Sequence, residues 1–189
     1  DPANKLLARG PRLRLDAEVL RDQTLAISGL LVSKLGGPPV RPYQPPNIWE
    51  PVAYPDSNTL SYVQDHGEAL YRRSLYTFVK RNAPAPSFTT FDAPSREAFC
   101  VGRGRSNTPL QSLALMNDVQ QFEAARAFAE RLLLMPGTDS DRSLYAFRAV
   151  TARFPNPEEK ALLAEALSYQ RAHFKEQPEA AKKVLRNGE

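Results

Sequence analysis

The second half of the chain repeats apolar residues with a helical period. From Val119 to Met135, and again after Asn156, apolar positions recur every three or four residues, which is typical of amphipathic helices. Thr108-Pro109-Leu110-Gln111 and Asn156-Pro157-Glu158-Glu159 resemble capping boxes with proline at the first helical position. Short interruptions separate the helices, at 117–118, 136–137, 152–156 and 177–178. Such short turns favour antiparallel neighbours, so residues 108–189 are predicted to form a helical bundle.

Residues 1–107 are predicted to be loop-rich, because twelve of the seventeen prolines precede Ser95. One helix is predicted from Leu13 to Leu35, begun by Asp16 and ended by the Gly-Gly-Pro-Pro sequence that follows. The proline- and aromatic-rich segment 40–56 is predicted to be a long extended loop. Its aromatic side chains could face a ligand or cover the core, and we favour the second interpretation.

The segment from Tyr71 to Lys80 alternates between two faces and contains β-branched and aromatic residues, which predicts a strand. Residues 87–91 could form a second short strand. In a strand, Arg72 and Arg73 point to opposite faces, so one of them needs a carboxylate or carbonyl partner inside the protein. The predicted fold is therefore mainly α, a helical bundle in one domain over 1–189, with a small β element near 71–80.

Composition excludes several classes of protein. Hydrophobic residues make up 42% and charged residues 24%, as in ordinary globular proteins. No apolar run of about 18 residues occurs, so no membrane insertion is predicted. Residues 72–105 hold seven basic and two acidic groups, which accounts for the net charge of +4. These basic residues alternate with Phe, Pro and Thr and do not form a dense stripe, so no nucleic-acid partner is predicted.

The sequence contains no recognisable catalytic or metal-binding motif. Cys100 is the single cysteine and is expected to be a small buried hydrophobe. His66 and His173 do not have the spacing of zinc ligands, and no serine follows a nucleophile-elbow pattern. We therefore predict no catalytic residue, no metal and no cofactor in this chain.

An arginine-rich loop leads into the helix start at Thr108. Free main-chain N–H groups and the positive end of the helix dipole lie there, so the loop could bind an anion such as sulfate, a sugar acid or a partner carboxylate. Candidate residues for an anion site or an interdomain contact are Arg96, Glu97, Arg103, Arg105, Asn107 and Thr108.

A second interpretation of the same arginines is internal. Arg96 and Arg105 would pair with carboxylates of the first helix and join the two halves of the chain. Candidates for structural pairing are Asp16, Glu18, Asp22, Arg72 and Arg73. We favour this interpretation. The alternative is an enzyme or binding domain for anionic or sulfated polysaccharide, with the arginines as a clamp and Asp92 or Glu97 as acid or base.

Several segments together resemble a planctomycete-specific domain of unknown function. They lie at 1–9, 12–18, 21–22, 28–31, 36–38, 42–45, 70–77, 91–97 and 107–111, in an order and spacing that cover most of the chain. The resemblance implies the C-terminal part of a large secreted protein that also carries a cytochrome c-like domain and a second uncharacterised domain. It thus implies an extracytoplasmic location, periplasmic or secreted, and an excerpt of a longer polypeptide.

The resemblance implies context and no assigned reaction. Any haem would belong to the cytochrome c-like domain, because this chain lacks the Cys-X-X-Cys-His attachment motif. The function favoured by the residues and the resemblance together is a non-catalytic structural or interaction module. Its expected partners are other domains of the same polypeptide, the cytochrome c-like domain among them, with polysaccharide as a further candidate ligand.

Overall fold

The computed structural model describes residues 3–8, 10 and 13–189. Asp1, Pro2, Arg9 and Arg12, which contribute to the family resemblance, lie outside the described residues. Within the described ranges the chain forms seven α-helices: α1 (Ala17–Ser28), α2 (Pro86–Thr90), α3 (Pro109–Asn117), α4 (Val119–Leu134), α5 (Asp139–Thr151), α6 (Pro157–Glu176) and α7 (Pro178–Leu185). Three 3-10 turns span Glu50–Val52, Gly67–Tyr71 and Ser74–Tyr76. The mainly α class is confirmed.

The first helix is shorter than predicted at its C-terminal end. It ends at Gly29, whose φ of 87° lies in the left-handed region. The Gly29 N–H bonds to the carbonyls of Leu25 and Ala26, and the Leu31 N–H also returns to Leu25. Glycine is the residue that adopts this conformation without a steric penalty, so it stops the helix before the Gly-Gly pair at 36–37 is reached.

The strand predicted over 71–80 does not form. Among the described residues, this segment makes two isolated parallel bridges, from Val32 to Arg72 and from Val40 to Thr77. Between them the chain turns at Ser74–Tyr76, because Asp22 accepts a hydrogen bond of 2.7 Å from the Ser74 N–H. This partly buried polar contact overrides the alternating pattern.

The second predicted strand, over residues 87–91, is also wrong. Residues Pro86–Thr90 form α2 instead, with proline at the first helical position. The Phe88 ring of this short helix and the Phe91 ring directly after it are buried against Ala17 of α1.

The helix starts of the second half are close to those predicted. Asp118 separates α3 from α4, and its side chain accepts hydrogen bonds from the N–H groups of Gln120 and Gln121. Asn156 caps α6 by accepting from the Glu159 N–H at 2.8 Å. Thr138 caps α5 by accepting from the Asp141 N–H, directly after the interruption predicted at 136–137.

The core lies between the first helix and the residues that surround it. α1 packs against α4, α2 and the Ser74–Tyr76 turn, and α3 packs against α2 and α4. Leu25 and Leu70 are fully buried. By contrast, α5, α6 and α7 contain no fully buried residue. Among the C-terminal helices, α4 therefore makes the main contact with the first helix.

The proline-rich loop covers the core through Trp49. This side chain is 1% exposed. Its ring meets Tyr62 edge-on at 4.9 Å between centroids and lies 5.5 Å from Phe78. Lys80 Nζ lies 5.0 Å from the same ring. None of the helices in the described part of the chain combines the length and the apolar character needed to cross a bilayer.

Candidate functional site

The arginine-rich loop reaches back to the first turn of α1. Arg103 donates two hydrogen bonds to Glu18, of 2.6 Å to Oε2 and 3.1 Å to Oε1. Its Nη1 also lies 3.7 Å from the carboxylate of Asp16. Two parallel bonds to one carboxylate match the planar fork of the guanidinium, and this is the strong form of such a contact.

The other two arginines of the loop lie farther from their nearest carboxylates. Arg105 Nε is 3.6 Å from Asp16, and Arg96 Nη2 is 4.0 Å from Glu18. Their side chains remain 43% and 46% exposed. All three guanidinium groups thus lie beside the N-terminus of α1, where the helix dipole also favours the carboxylates.

The charges of this contact reinforce each other. Partial burial acts to raise the pKa of Glu18, but the hydrogen bond from Arg103 and the nearby positive charges outweigh it, so the pKa lies below its usual value. The same hydrogen bond raises the pKa of Arg103. Both groups are therefore charged at neutral pH.

A second contact joins the start of the chain to the same loop. Arg14 donates to the Ser106 carbonyl at 2.9 Å and to the Phe91 carbonyl at 3.2 Å, and it pairs with the Asp92 carboxylate. Asp92 also accepts from the N–H and the hydroxyl of Ser106, each at 2.8 Å. The hydrogen bonds from Ser106 and the charge of Arg14 hold the pKa of Asp92 below its usual value.

The candidate residues of the loop are exposed. Glu97 and Asn107 lie on the surface, as does Cys100, so the expectation of a buried cysteine was wrong. The Cys100 thiol donates to the Gly102 carbonyl at 3.3 Å. A chain segment that projects from the core in this way offers no apolar environment for a thiol.

Thr108 begins α3 as predicted and forms a capping box with Gln111. The Gln111 side chain accepts from the Thr108 N–H at 3.2 Å. Its amide nitrogen donates to the Thr90 carbonyl at 2.9 Å and to the Ser106 hydroxyl at 3.0 Å. Gln111 is 4% exposed, so it both caps α3 and fixes the end of the loop.

Arg21, which was not predicted to be a site residue, lies buried at the centre of the fold. Arg21 donates to Gln120 Oε1 at 2.5 Å, to the Leu70 carbonyl at 2.7 Å and to the Arg72 carbonyl at 2.8 Å. Burial lowers its pKa to about 10, so it stays charged at neutral pH. The available signal was its position on the apolar face of α1, four residues from both Ala17 and Leu25.

Arg72 and Arg73 point in different directions. Arg72 is buried and donates to the carbonyls of Pro38 at 2.9 Å and Lys34 at 3.2 Å, and also to that of Gly36. Its guanidinium lies 3.8 Å from the centre of the Tyr76 ring. Arg73 is half-exposed and lies 3.5 Å from Asp22. Asp22 therefore faces this segment and not the arginine-rich loop.

The chemistry of this region is pairing between charged groups. Among the described residues, no cluster of three or more His, Cys, Asp or Glu side chains could hold a metal ion. The carboxylates that contact Arg96, Arg103 and Arg105 are those of Asp16 and Glu18, and the candidate acid Asp92 is paired with Arg14.

A comparison with known protein families identifies the family of this chain. Residues 1–167 match PSD1, a family described as a protein of unknown function (DUF1553). The chain belongs to this family. The part that matches PSD1 contains α1 to α5, about half of α6 and all of the arginine contacts described above. No curated protein and no solved structure matches the chain.

Proposed function

We propose that this PSD1 domain is a non-catalytic interaction module of a multidomain extracytoplasmic protein. Its partner is the cytochrome c-like domain of the same polypeptide, which carries the haem. The resemblance to secreted proteins of that composition supports the location and the partner. The structural observation that carries the proposal is an uncovered apolar groove between α4, α5 and α6.

Apolar side chains from all three helices line this groove. They include Leu132 and Leu133 of α4, Phe147 of α5, and Leu167 and Phe174 of α6. Contiguous exposed apolar surface of this kind marks sites where another protein binds. We therefore assign the groove to the interface with the partner domain.

The rim of the groove is charged. Asp139 of α5 pairs with Arg142 at 3.4 Å and with Arg171 of α6 at 3.1 Å. An apolar centre with a polar rim is the usual composition of a protein–protein interface. The Asp139–Arg171 pair also joins α5 to α6 at the rim of the groove.

The surroundings of Asp92 and Glu97, the candidate acid and base, support a role without catalysis. Asp92 accepts hydrogen bonds from Ser106 and pairs with Arg14, and these contacts lower its pKa. Glu97 lies on the surface. A general acid needs a pKa near the working pH and a position within hydrogen-bond reach of a bound substrate.

A second candidate function is binding of anionic or sulfated polysaccharide. It is favoured by the exposed fractions of Arg96 and Arg105, 46% and 43%, on a projecting loop. Guanidinium groups of that kind could contact sulfate oxygens without leaving Asp16 and Glu18.

The test measures binding of this chain to the cytochrome c-like domain by isothermal titration calorimetry. Leu167→Glu changes the groove, and Leu162→Glu changes a residue of the same helix that is 64% exposed and does not line it. We expect at least a tenfold loss of affinity for the first variant and no change for the second. Absence of binding, or equal loss in both variants, would contradict the proposal.

A parallel titration with a sulfated glycan separates the two candidates. Binding that is unaffected by Leu167→Glu, and that falls when Arg96 and Arg105 are changed to Gln, would favour the polysaccharide function. Binding of the partner domain alone would favour the interaction module.

A further inference from the structure

Glu123 of α4 is the most deeply buried acidic side chain among the described residues, at 1% exposed. Its Oε1 accepts hydrogen bonds from the hydroxyl of Tyr71 at 2.9 Å and from that of Tyr43 at 3.2 Å. It also accepts from the main-chain N–H of Glu189 at 2.7 Å. Its Oε2 is buried and has no hydrogen-bond partner within the described structure.

The segment that covers Glu123 is bound at its side chain as well as its main chain. The Glu189 carboxylate accepts from the Gly67 N–H at 2.8 Å and contacts His66 Nδ1 at 2.5 Å. Arg126 of α4 donates to the Leu185 carbonyl at 2.5 Å and also to the Glu189 carbonyl. Residues 185–189 are therefore held mainly by polar contacts to two separate parts of the fold.

The position before Glu189 must be a glycine. Gly188 has a φ of 86°, and a Cβ built on it would lie 2.7 Å from Cδ and Oε1 of Glu123. Both the backbone conformation and the available space exclude a side chain there. The space beside Glu123 thus fits a glycine, and the Gly67 N–H and His66 hold the acidic side chain that follows it.

Helix α7, which carries this segment, is weakly attached to the rest of the fold. It contains no fully buried residue, and Leu185 at its end is 60% exposed. A segment with little buried apolar surface opens locally at a small fraction of the free energy of global unfolding. Opening would expose the Glu123 carboxylate together with its two tyrosine hydroxyls.

We propose that Glu123, Tyr43, Tyr71 and Arg126 form a peptide-binding site that Gly188 and Glu189 occupy as an internal ligand. When α7 opens, the site takes a peptide from another chain that presents glycine followed by glutamate. Burial, followed by the adjacent Glu123 carboxylate, raises the pKa of Tyr43 to about 12, so its hydroxyl remains a donor at neutral pH. This site lies apart from the groove of the proposed function and does not depend on it.

The first test opens the site with Gly188→Ala in the full chain. Gly36→Ala is the matched control, because Gly36 also has a positive φ, of 74°, but no atom lies within 4 Å of a Cβ built there. We expect amide hydrogen exchange in residues 178–189 and at Gly67 to become at least tenfold faster in Gly188→Ala alone. Equal exchange in wild type and Gly188→Ala would overturn the proposal.

The second test supplies the ligand from outside. A labelled synthetic peptide with the sequence of residues 178–189 is titrated into the Gly188→Ala chain, and its anisotropy is measured. We expect saturable binding, with at least tenfold weaker binding of the same peptide carrying alanine in place of its glycine. Adding Glu123→Gln to the opened chain should weaken binding similarly. Absence of binding, or equal binding of both peptides, would contradict a glycine-specific site.

Discussion

Arg103 and Glu18 lie 85 positions apart in the sequence and are joined by two hydrogen bonds, of 2.6 and 3.1 Å. Arg14 links the segment before α1 to Asp92. Arg21 links α1 to Gln120 of α4 and to the Leu70 carbonyl. Three arginine contacts of increasing burial therefore connect the first helix and the segment before it to the rest of the fold. The positive charge in the middle of the chain acts mainly within the molecule.

Replacing Arg21 tests the most deeply buried of these contacts. Arg21→Met keeps an apolar stem but removes the donor to the Arg72 carbonyl and to Gln120 Oε1, and one of the two donors to the Leu70 carbonyl. Buried acceptors without partners are costly, so we expect a loss of about 3 kcal/mol in the free energy of unfolding. Urea denaturation measures it, with Arg81→Met, at an exposed position, as the control. A loss no greater than that of the control would show that Arg21 is not needed for stability.

The two halves of the capping box at α3 should differ in their effect. Thr108→Ala removes an exposed cap and should cost at most about 1 kcal/mol. Gln111→Ala removes a buried side chain that also bonds Thr90 and Ser106, so it should cost more, about 2 kcal/mol. Thermal unfolding of the two variants compares them. A larger loss for Thr108→Ala would mean that Gln111 does not fix the loop.

Arg96 should contribute little to stability. Its guanidinium is 4.0 Å from Glu18 and its side chain is 46% exposed. Contacts of this kind change the free energy of unfolding by less than about 0.5 kcal/mol. We therefore expect Arg96→Ala to leave the melting temperature almost unchanged. A marked fall would show that Arg96, and not Arg103, carries the link to α1.

The start of α6 should respond to acid. The hydrogen bond from Arg153, together with the capping contacts at Asn156, lowers the pKa of Glu159 from its usual 4.5 to about 2. A lowered folded-state pKa stabilises the fold above the unfolded value, so this contribution is lost as pH falls from about 4.5 through 2. NMR titration of the Glu159 and Lys160 amides should show the change. The Glu159→Gln variant should lack it, and an identical titration in both would contradict this origin.

The helical half could be predicted because its signals are local. Capping residues, proline at the first helical position and a regular apolar period mark α3, α4 and α6 within a few residues. The segment 71–80 could not be predicted in the same way. Its conformation depends on Asp22 and Arg21, which lie about 50 positions earlier and bind its main chain.

The sign of each charge is known from its residue type, but its partner in the folded chain is not. Opposite charges in α1 and in residues 96–105 indicate a contact, but the sequence does not show which arginine makes it. Arg103 makes the bidentate bond to Glu18, whereas Arg96 and Arg105 were predicted to pair with the carboxylates of the first helix. Glu123 gave no local signal, and the position of Arg21 on the apolar face of α1 did not identify its partners, because the partners of both residues come from distant segments that meet only in the folded chain.

A double-mutant cycle on Arg103 and Glu18 tests the central claim most directly. The unfolding free energies of wild type, Arg103→Gln, Glu18→Gln and the double variant are measured by urea denaturation. We expect the sum of the two single-variant losses in unfolding free energy to exceed the loss in the double variant by about 1 kcal/mol. The reason is that the bond is bidentate and the Glu18 side chain is only 19% exposed. Additive losses, with no coupling between the two residues, would contradict the claim that this arginine joins the loop to the first helix.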